Sequence, residues 1–117
     1  MTRALLMSSF VASSRVGGGA QSLALALLGI DPVLAPTVLF GRHPGLGAPG
    51  GGAVAPELFA GVLAGIAAKG DHDHFGLIMT GYFSHPDQVI AAAAAIDAVR
   101  AARLQAGAAC PWSSSIR

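Results

Sequence analysis

The side chains able to do chemistry are concentrated in a few short stretches. Ser8 and Ser9 follow the apolar run ALLM and lead into ASSRVGGG, where successive backbone N–H groups of VGGG at 16–19 would face an anion at a helix start. That stretch fits neither G-x-G-x-x-G nor G-x-x-x-x-G-K-[ST], so loop flexibility or close helix packing is the simpler account of its glycines. Arg42 and His43 place a guanidinium fork and an imidazole in the loop GRHPGLGAPGGG. A lid that orients a polar aromatic ligand has this composition, and so does an exposed loop with incidental polar residues. DHDH at 71–74 alternates carboxylate and imidazole, the residue types of a metal site. Adjacent residues cannot all face one ion, and the stretch lies at a helix-to-strand turn, so a solvated turn is expected. Tyr82, the only tyrosine, follows an apolar run, where its ring either stacks on a flat ligand or fills the core. No serine has His and Asp partners at motif spacing, which leaves nucleophilic hydrolysis without support.

The elements that must position these groups follow from periodicity and punctuation. ALLM at 4–7 reads as a buried parallel strand, and AQSLALALLG from Ala20 as a helix stopped by Gly29. An Asp31-Pro32 turn precedes VLAPTVLF at 33–40, whose second half is a strand candidate; the glycine-rich 41–52 reads as a long pliable loop outside any regular element. PELFAGVLAGIAAK at 56–69 has Pro56 in its first turn and Leu58, Val62 and Ile66 at a spacing of four, a helix pattern. FGLIMTGYF at 75–83 is a further strand, and SHPDQV opens a last helix that runs through the alanines to about Gln105. Strands alternating with helices imply a doubly wound α/β sheet with helices on both faces. Ligands then bind beyond the carboxyl ends of the strands, at Ser8–Gly19, Phe40–Gly52 and Thr80–His85, with DHDH on the opposite side.

Composition narrows the function classes. The chain has 117 residues, the size of one domain, with 53 % hydrophobic and only 11 % charged residues, against roughly 25 % charged in ordinary domains. An intact domain can have this balance, and so can part of a larger one whose remainder covers apolar surface. A net charge of +1 without a basic cluster gives no nucleic-acid or anionic-membrane partner. The lone Cys110 excludes an intrachain disulfide and a cysteine metal cluster, so a cytoplasmic setting is the default. MTRALLMSSFVASS lacks a signal-like apolar core and reads as mature protein, and AAAAAI, between Asp87 and Arg100, is too short for a membrane span.

Taken together, SSFVASSRVGG, LALALLG, PTVLFGRHPGLG and MTGYFSHPDQV resemble, in order and spacing, the N-terminal half of the pyridoxal kinases, which are ribokinase-like small-molecule kinases. The resemblance spans about residues 4–109. It implies a three-layer α/β fold with a mostly parallel central sheet, and phosphorylation of the 5′-hydroxyl of pyridoxal, pyridoxine or pyridoxamine by ATP with Mg²⁺. The family's substrate-binding residues would fall on Ser9, which meets the polar edge of the pyridine ring, on His43, Pro44 and Gly45 of the covering loop, and on Tyr82. Phe10 stands where a histidine is common, Pro44 replaces a threonine, and Ser13-Ser14 replaces a Tyr-Gly pair; the lost hydroxyl bears on the choice of vitamer.

The family's ATP site, magnesium-binding acids and catalytic aspartate belong to the C-terminal half. No catalytic, metal or nucleotide-binding residue is therefore assigned in this chain, and the resemblance implies a truncated, catalytically incompetent polypeptide. A related hydroxymethylpyrimidine kinase, or a non-catalytic vitamer-binding or dimerising fragment, are the other readings. A homodimer is implied by the family, and self-association by an exposed sheet edge. Residues 1–109 form the family-like part. In the tail, 110–117, plausible GC-rich codons for PWSSSIR read in another frame as Val-Val-Val-Val-Asp-Pro, like a buried strand of the family, so an out-of-frame tail is expected there.

Overall fold

Ala4, Leu5, Leu6 and Met7 are buried on both faces of their strand, which a central parallel strand demands. The computed structural model describes residues 2–115. This strand, β1, runs Arg3–Val11, longer than its apolar run because Ser8 and the segment beyond it still pair with a neighbour. The helix α1 spans Gly17–Leu27, and β2 spans Asp31–Phe40. The short β3, Gly51–Ala53, leads into α2, Pro56–Ala68; β4, Phe75–Thr80, into α3, Pro86–Gln105; and β5 is Trp112–Ser115. The strand order is β3-β2-β1-β4-β5, parallel throughout except for the antiparallel β2–β3 pair.

Side chains sort to the two faces by alternation. Ala4 and Leu6 meet Leu25 of α1 on one face, with Leu34, Leu77 and Met79 around them. Leu5 and Met7 face the other way, into the larger core with Phe59 and Leu63 of α2 and Ala92 and Val99 of α3. The result is three layers, with α1 on one side of the sheet and α2 and α3 on the other. The helix ends fall where glycine predicts them: Gly29 and Gly70, at φ 79° and 82°, adopt the left-handed conformation that closes α1 and α2.

Several elements differ from the sequence reading. Asp31-Pro32 is not a turn but the start of β2. Pro32 and Pro36 are tolerated because β3 pairs only with Val38, Leu39 and Phe40, so β2 is an edge strand at both prolines. The loop 41–52 is not irregular throughout. It contains a 3-10 turn at Pro44–Leu46, and its end enters the sheet as β3. The α1 helix begins at Gly17 rather than Ala20, and the last strand segment, Gly81–Phe83, leaves the sheet. The tail also contains a strand: β5 pairs in parallel with β4, from Leu77↔Trp112 to Thr80↔Ser115, and its last two residues lie outside the described residues.

At the amino ends of the strands, Arg3 is an organising residue that sequence reading passed over. Its Nε donates to Asp31 at 2.9 Å, a second guanidinium nitrogen pairs with Asp71, and the guanidinium carbon lies 5.3 Å from the centre of the Phe75 ring. Burial pushes the Asp71 carboxyl up, but the charges of Arg3 and Lys69 and the Arg3 hydrogen bond outweigh it and hold the group below its ordinary range. Asp71 is thus a partly buried ion-pair partner rather than part of a wholly solvated turn. His72–His74 forms a 3-10 turn there, and among the described residues no group of His, Cys, Asp and Glu gathers to hold a metal. Among them, too, no helix is long and apolar enough to cross a membrane.

Candidate functional site

A cleft of about 430 Å³ opens where β1 and β2 end and β4 gives way to its loop. Ser9, Val11 and Phe40 with Val38 contribute from the strands, Val16 and Gly17 from the start of α1, His43 and Pro44 from the 3-10 turn, and Tyr82 from the β4–α3 loop. The volume falls in the range of roughly 300–1,000 Å³ usual for small-molecule sites. Mostly apolar walls carrying one hydroxyl, one imidazole and one phenol suit a flat heterocycle with a polar edge.

Ser9 owes its place to a β-bulge and to glycine. The register between β1 and β2 shifts between Ser8 and Phe10, a device that re-aims a side chain beside a site. A Cβ on Gly17 would overlap Ser9 Oγ, and one on Gly18 would lie 2.7 Å from Ser9 O and 2.6 Å from Leu34 Cδ1. Gly17 and Gly18 are therefore explained by close packing of α1 on β1, without a phosphate, whereas a Cβ on Gly19 would make only ordinary contacts. Phe10, where a histidine is common in the resembling family, does not line the cleft.

The covering loop is tied down rather than pliable. Gly41 N and Arg42 N both donate to Pro49 O, at 3.0 and 3.1 Å, and Ser13 Oγ donates to Gly41 O at 2.6 Å. Arg42 Nε donates to Ala48 O at 2.8 Å, so the guanidinium braces the loop from within. His43 Nδ1 accepts from Gly45 N at 3.0 Å. Gly45 does not line the cleft; it lies behind the imidazole, where a Cβ would come within 2.9 Å of Nδ1. The structure thus brings Ser9, His43, Pro44 and Tyr82 together, with Gly45 supporting His43.

Tyr82 is 58 % exposed along the cleft, and its backbone carbonyl accepts from Thr37 Oγ1 at 2.6 Å. Sequence reading missed Thr37 and the buried Gln88, along with the apolar wall of Val11, Val16, Val38 and Phe40. The strand pattern could have supplied the wall, since Val38 and Phe40 alternate toward one face. A second cavity, between α2 and α3, is lined almost wholly by alanines, with His72 as its polar group. It offers little to orient a ligand.

The same architecture occurs in solved structures. Pyridoxal kinase from Leishmania donovani in complex with ADP and pyridoxamine superposes with a TM-score of 0.92 and 25% identity, over 99% of this chain and 40% of that one. The fold is that of part of a pyridoxal kinase. The same Leishmania donovani pyridoxal kinase, in complex with ADP and pyridoxine, gives a TM-score of 0.89 and 27% identity over 95% of this chain and 38% of that one. Pyridoxal kinase from Trypanosoma brucei shares the fold with a TM-score of 0.86 and 23% identity, over 97% and 40% of the two chains. The chain therefore spans about two fifths of the length of the pyridoxal kinases it resembles, a partial ribokinase-like domain. No protein-family model matches it.

Proposed function

We propose that the cleft binds the pyridine ring of a vitamin B6 vitamer and that the chain descends from an ATP-dependent pyridoxal kinase. The convergence of Ser9, His43, Pro44 and Tyr82 on one apolar-walled cleft at the strand ends carries this reading. Ser9 Oγ, at the floor beside Gly17, is placed to meet the ring's polar edge. The His43 ring has its Nδ1 occupied as an acceptor from Gly45, which leaves Nε2 as the nitrogen free to meet a ligand polar group. The Tyr82 ring supplies a stacking wall, and Pro44 covers the site without the hydroxyl that a threonine would offer. The Leishmania donovani pyridoxal kinase is seen in complex with ADP and pyridoxamine or pyridoxine, in keeping with that ligand class.

The 117 residues by themselves bind without turnover. Phosphoryl transfer depends on positioned nucleotide phosphates and on groups that neutralise charge on the moving phosphoryl. ATP and Mg²⁺ supply that chemistry in a complete kinase, but the residues present do not fit the metal: the described residues hold no acidic cluster for it. The carboxylates Asp31 and Asp71 are engaged by Arg3 at the opposite ends of the strands.

We also infer that residues 1–109 are the native part of a kinase half and that 110–117 is out of frame. The reading is supported by β5, where Ser113 and Ser114 occupy a parallel strand position that favours Val and Ile, and Trp112 is 66 % exposed. The gene sequence tests it: a kinase-like continuation in another frame is expected, and its absence would defeat the inference. For the function, purified chain is titrated with pyridoxal and with hydroxymethylpyrimidine, then incubated with ATP and Mg²⁺. Binding of pyridoxal in preference to the pyrimidine, without phosphorylated product, is expected. Turnover would overturn the incompetence claim, and preference for the pyrimidine would overturn the substrate class.

A further inference from the structure

Gln88 is completely buried, at 0 % exposure, three residues into α3. A buried amide is costly unless its donors and acceptor are all engaged. Here they are. Nε2 donates to Thr37 O at 3.0 Å and to Val54 O at 2.8 Å, while Oε1 accepts from Ser84 N at 2.9 Å and lies 3.1 Å from Ser84 Oγ. These partners belong to β2, to the β3–α2 junction and to the β4–α3 loop. The helix itself does not need them, because His85 Nδ1 already caps it by accepting from Asp87 N at 3.0 Å, with Pro86 in the first turn. An apolar side chain would fill the same space without the desolvation cost. The amide is therefore explained by what it joins, not by what it fills.

What it joins leads to Tyr82. Thr37 is also fully buried; its carbonyl accepts from Gln88, and its hydroxyl donates to Tyr82 O. Ser84, held by Gln88, lies two residues beyond Tyr82. The loop bearing the phenol is thus gripped at Tyr82 itself and again two residues beyond it, although the ring is largely exposed.

We propose that Gln88 and Thr37 are positioning residues that clamp the Tyr82 loop and so set one wall of the cleft. Its bearing on ligand affinity rests on reading the cleft as a vitamer site, whereas the clamp itself operates in the unliganded chain. Both parts are tested on the 117-residue chain with pyridoxine, which lacks the aldehyde and so cannot form an imine with Lys69. Losing the single Thr37–Tyr82 hydrogen bond in Thr37→Val weakens pyridoxine binding about 5- to 10-fold, and Thr37→Ser restores it. The decisive comparison is a double-mutant cycle: Thr37→Val has no further effect in a Tyr82→Ala background, because its influence passes through that ring. Equal weakening in both backgrounds, or no weakening by Thr37→Val where Tyr82→Ala weakens binding, overturns the proposal.

Hydrogen exchange without ligand separates this failure from failure of the vitamer reading. In Thr37→Val and Gln88→Met, amides of residues 81–84 exchange about tenfold faster while Leu6 of β1 keeps its protection. If Gln88→Met loses protection throughout the sheet, the milder Thr37 variants decide. A wild-type chain that ignores pyridoxine defeats the vitamer reading alone; unchanged exchange at 81–84 in Thr37→Val defeats the clamp.

Discussion

Replacing Gly18 with alanine tests the claim that α1 lies against β1 so closely that only glycine fits. An added Cβ would sit 2.7 Å from Ser9 O and 2.6 Å from Leu34 Cδ1. The leucine methyl can rotate aside, but the carbonyl belongs to the central strand, so the start of α1 must lift by several tenths of an ångström. Overpacking of this kind costs about 1–3 kcal/mol, offset by less than about 1 kcal/mol from the better helix propensity of alanine, which leaves a net loss of about 1–2 kcal/mol. Gly65 in α2 is the control, since a Cβ there meets nothing within 4 Å; Gly65→Ala should stabilise by about 0.5–1 kcal/mol. Urea unfolding of both variants measures the difference, with unchanged slopes showing that stability alone has moved. Because the displaced carbonyl is that of Ser9, Gly18→Ala should also weaken pyridoxine binding. If Gly18→Ala stabilises as much as Gly65→Ala, the close approach is wrong, and the glycine stretch needs another explanation.

The Asp71 carboxyl is held below its ordinary range, so its contribution to stability is present above the unfolded-state pKa and is lost as pH falls through the folded value. Thermal melts between neutral and acid pH should show this acid limb in the wild type and a shallower one in Arg3→Met. His85→Ala removes the cap of α3 and should cost about 0.5–1 kcal/mol in urea unfolding, with His85→Asn recovering most of it. Among the described residues the outer edge of β5 is unpaired, with Trp112 exposed on it; sedimentation at increasing concentration should reveal self-association, reduced by Trp112→Glu. A monomer at all concentrations would contradict that expectation.

Much of the architecture was legible because burial writes itself into the sequence. ALLM is compatible with a strand covered on both faces, and the spacing of Leu58, Val62 and Ile66 marks a helix, although Leu58 is exposed and the side chains that helix buries are Phe59 and Leu63. The strand ends mark the stretches Ser8–Gly19, Phe40–Gly52 and Thr80–His85, and within them the family resemblance implies Ser9, His43, Pro44, Gly45 and Tyr82. What escaped notice was set by pairing rather than by composition. Pro32 and Pro36 argue against a strand unless β2 is known to be an edge there, and Gly51–Ala53 has no strand character until Phe40 lies beside it. Arg42 looked like a ligand donor, yet the carbonyl that claims it, Ala48 O, is in its own loop. Gln88 and Thr37 are common polar residues in ordinary positions. Their role follows only from the three segments that converge on them.

The central claim is that a B6 vitamer occupies the cleft at the carboxyl ends of β1, β2 and β4. Amide shifts of the isotope-labelled chain during titration with pyridoxine test it most directly. The account predicts saturable shifts concentrated at Ser9, Gly17, His43 and Tyr82, abolished together by Tyr82→Ala with His43→Ala. Shifts centred on the alanine-lined groove between α2 and α3, or none at saturating pyridoxine, would contradict it.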